Sequence, residues 1–323
     1  MAGSMRRASA LIVLIFAASA AVIARADDYP SRPVRLIVGF PPGSSADITA
    51  RIVGAAMSPV LGQQVVIENK PGAASGIAAE FVARAPKDGY MLFLGSSANL
   101  TAQAISNVPF DLARDFAPVA RATTAAVVLV VHPSTAAKSV AELIALAKAK
   151  PGEILYASTG VGTAPHLSAE LFAMRTGIKI VHVPYQGSPQ AATDLIAGRV
   201  HMMFSPASAV VAQVETGKLI ALASAAAKRP AIAPTVPTMA EAGLADFDTS
   251  IWFGLLAPAG TPREVVDKLA RALNEAVKTN DVIDKLKVQG MEPLGGMPEE
   301  LAGFIDRETQ KWSAAAAAAG LKK

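Results

Sequence analysis

The sequence predicts an α/β protein of two lobes joined by a two-strand hinge. Three observations carry that reading. Short apolar runs alternate with segments of helical periodicity along most of the chain, the order expected of βα units in parallel sheets. One strand–loop–helix pattern, with Gly, Ser and Thr in the loop, occurs near residue 40 and again near residue 160. A chain of 323 residues is also long enough for two domains.

Taken in order, the apolar runs 34–38, 65–68, 91–94, 127–131, 154–157, 180–183, 200–204 and 219–224 read as buried strands. Helical patterns fall between several of them, at 46–61, 77–84, 140–148, 165–175, 190–197 and 208–216. Ser139 and Glu142 have the spacing of a capping box, in which hydroxyl and carboxylate each satisfy an N–H that the first turn leaves unpaired. Thr261-Pro262-Arg263-Glu264 repeats the signal, with proline at the first helical position, and opens a helix to about Lys278. A last helix is expected from Pro298 through the alanines at 314–319. The region from Arg121 to about Ala227 is self-contained, so the C-terminal helices are expected to return to the first lobe. That puts the first lobe at 27–125 with 251–323 and the second at 126–250, with hinge strands at 127–131 and 251–256.

The N-terminal segment 1–26 reads as a signal peptide. Arg6 and Arg7 precede an apolar run from Ala8 to about Ala24 that holds no carboxylate, and Ala24-Arg25-Ala26 is an A-x-A cleavage pattern. The run is short and diluted with Ala and Ser for a membrane span, which needs roughly 20 strongly apolar residues. Export to the periplasm and a mature start near Asp27 are the expectations. Three of the 30 basic residues lie in this segment and none of the 26 acids does, so the mature chain is close to neutral. No basic stripe with interleaved aromatics points to nucleic acid, and no polybasic cluster points to a lipid surface. The chain has no cysteine, which excludes disulfides, thiol nucleophiles, thiolate metal sites and a lipidated N-terminal Cys.

The two matching loops are the candidate site. The first runs from Gly39 through Phe40, Pro41, Pro42, Gly43, Ser44, Ser45 and Ala46 to Asp47. The second runs from Ser158 through Thr159, Gly160, Val161, Gly162, Thr163, Ala164 and Pro165 to His166. Each joins the carboxyl end of a strand to the start of a helix, where ligands of open α/β sheets lie. The first N–H groups of a helix have no internal partner, and the macrodipole places positive charge there. A carboxylate can thus be held without Arg or Lys, provided several N–H bonds act together, since one helix end contributes only about 0.3–2 kcal/mol. Neither loop has the Gly-Lys-Ser/Thr or G-x-G-x-x-G of a phosphate or dinucleotide site. Asp47 repels an inward-facing anion, so it reads as a cap or loop brace.

Tyr29-Pro30-Ser31-Arg32-Pro33-Val34 leading to Phe40-Pro41-Pro42-Gly43 and Asp47 resembles the start of the periplasmic receptors of tripartite tricarboxylate transporters, the Bug family. The likeness continues through Glu68-Asn69-Lys70-Pro71-Gly72, Pro86-Lys87-Asp88-Gly89-Tyr90, Tyr156-Ala157-Ser158, Val183-Pro184-Tyr185-Gln186-Gly187, Asp194-Leu195 with Gly198, and Trp252-Phe253-Gly254. It implies the two-lobed type II periplasmic-binding-protein fold and a small carboxylate ligand: a dicarboxylate, an acidic amino acid or an aromatic acid. It also implies that the two loops, with His166, hold the ligand carboxylate. Ser96, Ser97 and Asn99, then Ser205 and Pro206, would end strands facing the cleft, and Tyr185 sits in the matching Pro-Tyr-x-Gly motif. Partners implied are inner-membrane transporter subunits or a sensor kinase, with the receptor a monomer and no cofactor. Three positions depart from the family pattern. Ser44 replaces a common second Gly, with consequences for the loop and the ligand. Ala74-Ser75 interrupts a Gly-rich stretch and His201 replaces a common Asp; both are expected to act on packing.

Catalysis is not expected. The four histidines, His132, His166, His182 and His201, include no i, i+4 helical pair and no accompanying carboxylate cluster. No G-x-S-x-G surrounds Ser96, Ser158 or Ser205, and a hydrolase would need an acid–base pair in the cleft. Phe40, Tyr185 and Trp252 are the aromatic side chains that can stack on an aromatic acid, with core packing favoured for Trp252.

Overall fold

The computed structural model describes residues 29–185 and 188–321; the signal peptide expected at 1–26 and Gln186-Gly187 lie outside the described residues. The first part of the chain forms β1 (Val34–Val38), α1 (Ser45–Leu61), β2 (Val65–Asn69), α2 (Gly76–Ala83), β3 (Met91–Ser96), α3 (Ser97–Ile105) and β4 (Phe116–Ala125). A second run follows: β5 (Val127–Val131), α4 (Val140–Ala149), β6 (Leu155–Ser158), α5 (Ala164–Thr176), β7 (Val181–Pro184), α6 (Ser188–Ile196), β8 (Met202–Pro206), α7 (Ala207–Glu215) and β9 (Ile220–Ser224). The chain ends in β10 (Ile251–Pro258), α8 (Arg263–Ala276), α9 (Asn280–Val288), β11 (Met291–Gly295) and α10 (Pro298–Ala318).

Two sheets result, ordered β11-β4-β10-β3-β1-β2 and β7-β6-β8-β5-β9. The strands that carry the two loops, β1 and β6, are each flanked by parallel neighbours. The sheets are mixed, however, not purely parallel as the alternating pattern predicts. β10 runs antiparallel to β3 and β4, and β5 runs antiparallel to β8 and β9. Each is the first strand laid down after the chain changes sheets. Only Ala126 separates β4 from β5, whereas the return from β9 to β10 takes residues 225–250.

Four elements escape the sequence pattern. β4 carries Pro118 and Arg121 in a run of small and polar residues, and β11 contains Pro293, which an edge strand tolerates because its N–H side faces away from the ladder. α3 mixes Ser, Asn, Thr and Gln with Ala, Leu and Ile in nine residues, and α9 is a short helix of mixed charge. The caps divide similarly. Ser139 accepts from the Glu142 N–H at 3.1 Å, as its spacing predicts. Thr261 does not cap: α8 starts one residue later, and the Thr261 hydroxyl donates to the Pro258 carbonyl at 2.8 Å.

α8 and α9 return to the first sheet, but α10 does not rest on one lobe. It packs on α3 and β4 of the first sheet and on α5 beside the second. Its apolar face puts Leu301, Ile305 and the fully buried Trp312 into one core with Leu100 and Phe172. The Trp312 indole donates to Glu308 at 3.0 Å, and Lys311 pairs with Glu308 while donating to the Asp248 carbonyl at 2.6 Å. Burial pushes the Glu308 carboxyl up, against the pull of Lys311. Trp312→Ala removes the largest anchor of this helix and is expected to cost about 3–5 kcal/mol of stability, read by chemical denaturation.

Candidate ligand-binding cleft

Between the sheets lies a cavity of about 690 Å³. The opening residues of three helices line it: Ser44, Ser45 and Ala46 at α1, Ser96, Ser97 and Ala98 at α3, and Thr163, Ala164 and Pro165 at α5. Helix N-termini from both sheets therefore face one space, each bringing unpaired N–H groups and partial positive charge. The remaining wall is largely apolar and includes Phe40, Ile105, Val108, Val161, Ile251 and Phe253. No Asp, Glu, Lys, Arg or His is among the described residues lining it.

A second cavity, of about 410 Å³, lies against the other face of β10. Strand alternation separates the two, with Ile251 and Phe253 on the first and Ser250 and Trp252 on the second. The lining of the second mixes charges, with Asp248, Glu292 and Glu308 set beside Arg121 and Lys228, unlike that of the first cavity.

The first loop is held in shape from behind. The Asp47 carboxylate accepts from the Gly43 N–H, the Arg51 guanidinium and the Asn69 amide, each at 2.9 Å. Asn69 also donates to the Phe40 carbonyl at 3.0 Å. Burial alone raises the Asp47 carboxyl, but Arg51, Gly43 and Asn69 together hold it below the usual carboxylate value. Ser44 is extended, not left-handed, and its hydroxyl accepts from the Asp47 N–H at 3.3 Å. Serine thus fits where the family commonly has glycine. Gly39 is constrained differently, since a Cβ there would lie 2.6 Å from the Ser75 Cα.

The second loop rests on a buried polar cluster. Gly162 donates its N–H to His166 Nδ1 at 2.9 Å, so that N–H is already paired. Gly162 itself adopts φ +76° and comes so close to Ile105 of the first sheet's α3 that a Cβ would lie 1.9 Å from it. Thr163 donates to the Gly160 carbonyl at 2.7 Å, and Ser158 Oγ lies 3.1 Å from the Gly160 N–H and 2.6 Å from His182 Nε2. The His166 and His182 rings stack at 3.9 Å, and Tyr156 donates to Glu170 beside them. Burial pushes His166 down to about 4; burial, then the neighbouring His166, pushes His182 down to about 4.

The sequence-expected residues thus divide by position. Phe40, Ser44, Ser45, Ala46, Ser96, Ser97, Thr159, Gly162 and Thr163 line the cavity. Pro42 is exposed outside the lining, while Gly43, Asp47, Ser158, Gly160 and His166 belong to the loops or their braces. Asn99 is fully buried and accepts from the Ser96 N–H at 2.9 Å, and its Nδ2 has no partner among the described residues. Tyr185 donates to Asp194 at 2.8 Å, away from the cavity lining, and Ser205 and Pro206 end β8 without lining it. His201 accepts from the Leu155 N–H at 2.9 Å within the second sheet.

Sequence reasoning missed the wall at Ala73 and Ala74, which line the cavity with exposed methyl groups. Ala73, Ala74 and Ser75 have φ of 48°, 50° and 73°, left-handed values that cost an L-residue roughly 1–2 kcal/mol each. The signal available was the interruption of a Gly-rich stretch, which shows that Cβ atoms are present but not where they point.

A family model described as "Tripartite tricarboxylate transporter family receptor" matches residues 49–321. The chain belongs to that family. BugT of Bordetella pertussis is 38% identical over 316 residues, covering 96% of this chain and 97% of the relative. Among solved structures, R. palustris Rpa4515 with adipate is 36% identical at TM-score 0.74, over 91% of this chain and 99% of that one. MatC from Rhodopseudomonas palustris, with bound malate, is 31% identical at TM-score 0.72, over 89% and 99%. The architecture is accordingly the two-lobed periplasmic-binding-protein fold of this receptor family.

Two predictions follow from the braces. Asp47→Ala removes the acceptor shared by Gly43, Arg51 and Asn69, leaving Asn69 only the Phe40 carbonyl and Arg51 only the Asn69 amide oxygen, and is expected to cost about 1–3 kcal/mol in chemical denaturation. His166 and His182 are held neutral, with folded values below the ordinary 6.5. Their contribution is complete above 6.5 and is lost as pH falls toward 4, because the unfolded chain takes up protons first. Thermal stability measured against pH is expected to fall across that window, and His166→Gln with His182→Gln to flatten the fall.

Proposed function

We propose that the protein is an exported receptor that captures a small carboxylate in this cleft and delivers it, unchanged, to a tripartite transporter of the inner membrane. The observation that carries the proposal is the convergence of helix N-termini from both sheets on a space where no charged side chain is among the described lining residues. Each end contributes modestly, and several N–H groups acting together supply an anion site. Family membership and the adipate and malate of the two solved relatives point the same way. The leader pattern at 1–26 supports export to the periplasm, and no helix among the described residues is long and apolar enough to cross a membrane.

We take the lobes as 27–125 with 251–323, and 126–250. A ligand drives their closure only through contacts it makes to both at once, which the α1 and α5 loops provide from opposite sides. Ser158 and His182 are hydrogen-bonded, but they lie beneath the second loop outside the cavity lining, so the pair braces the loop and does not attack a substrate.

Calorimetry on protein refolded free of carried-over ligand tests this reading, with adipate, malate and benzoate set against their neutral amides. Acids that bind, amides that do not, and ligand recovered intact are the expected result. Equal binding of acid and amide, or conversion of the ligand, contradicts it.

A further inference from the structure

We infer that the cleft selects a carboxylate with an apolar body and no ammonium group, and that the Ala73-Ala74 wall is its specificity element. The inference rests on the carboxylate-receptor reading above and narrows it. An ammonium group carried into this space meets no carboxylate, since no ionisable side chain is among the described residues that line it. It meets instead the positive ends of three helices, which repel it, and only neutral hydroxyls such as those of Ser45, Ser97 and Thr163 stand in for its lost hydration. An acidic amino acid is thereby disfavoured on the same grounds that favour a plain acid.

The body of the ligand is set by what the walls leave uncovered. Val161, at the tip of the second loop, is 60% exposed, and Ala73 and Ala74 are exposed on the side of the first sheet. All three line the cavity, so apolar surface waits on both sides of it. The alanines carry a further mark. Their left-handed backbone is one that glycine adopts without penalty, yet methyl groups are present and pack into no core. Strain that the fold does not use points to a use outside the fold, and the space those methyl groups face is the ligand's.

Two experiments on the mature protein decide the matter. The first is calorimetry on skeleton-matched pairs: adipate against 2-aminoadipate, and benzoate against 4-(aminomethyl)benzoate. The plain acid of whichever pair binds is expected to be at least about tenfold tighter. The second is the variant Ala73→Gly with Ala74→Gly, compared by melting temperature and by affinity for adipate and malate. Relief of strain is expected to keep or raise the melting temperature, while adipate binding weakens roughly three- to tenfold and malate binding changes little. Equal affinity within the pairs overturns the ammonium exclusion and leaves the receptor reading standing. Equal loss for adipate and malate, or a drop in melting temperature, overturns the specificity role, because the methyl groups then serve closure or the fold. Failure of every carboxylate to bind overturns the receptor reading and this inference together.

Discussion

An anion placed in the cleft must be held by backbone N–H groups and hydroxyls, because no Lys, Arg or His is among the described residues that line it. Much of the structure answers to that constraint. A helix end is a weak anion site, worth about 0.3–2 kcal/mol, so several ends must be aimed at one point and kept there. Two sheets built on the same strand order bring the loops after β1 and β6 to face each other, and α3 adds a third helix end from the first sheet. The charges that are present stand behind the loops and act on their shape. Asp47 shows this most clearly: its carboxylate would oppose an anion, yet it is turned onto the Gly43 N–H, Arg51 and Asn69.

The two loops meet the same requirement by different chemistry. The first is braced by an ion pair and an amide, the second by stacked neutral histidines and hydroxyls. A neutral imidazole can accept the Gly162 N–H, and a protonated one cannot. Burial that lowers His166 therefore keeps the second loop in its acceptor-dependent form. α10 sets a further limit, since it joins both sheets through the core around Trp312, so any closure must either carry this helix along or slide against it.

Much of this was legible in the sequence. The strands at 34–38 and 127–131 coincide with their apolar runs, and both candidate loops face the cavity because a strand–loop–helix unit has only one carboxyl end. Other features were not legible, for physical reasons. The antiparallel insertion of β5 and β10 depends on where the chain crosses between sheets, which no local period encodes. β11 is stabilised by pairing with β4, not by its own composition. His166 and Tyr185 have the chemistry of ligand contacts, and only three-dimensional partners reveal that they bond to Gly162 and Asp194. Ala73 and Ala74 were the reverse case, residues of no apparent chemistry whose backbone angles turn their methyl groups to the cleft.

The most direct test of the central claim is a crystal structure of the protein loaded with a carboxylate such as adipate. Carboxylate oxygens are expected within hydrogen-bonding distance of backbone N–H groups, directly or through one ordered water, at the starts of both α1 and α5. A carboxylate paired with a Lys or Arg side chain, or seated against Arg121 on the other face of β10, would contradict that claim.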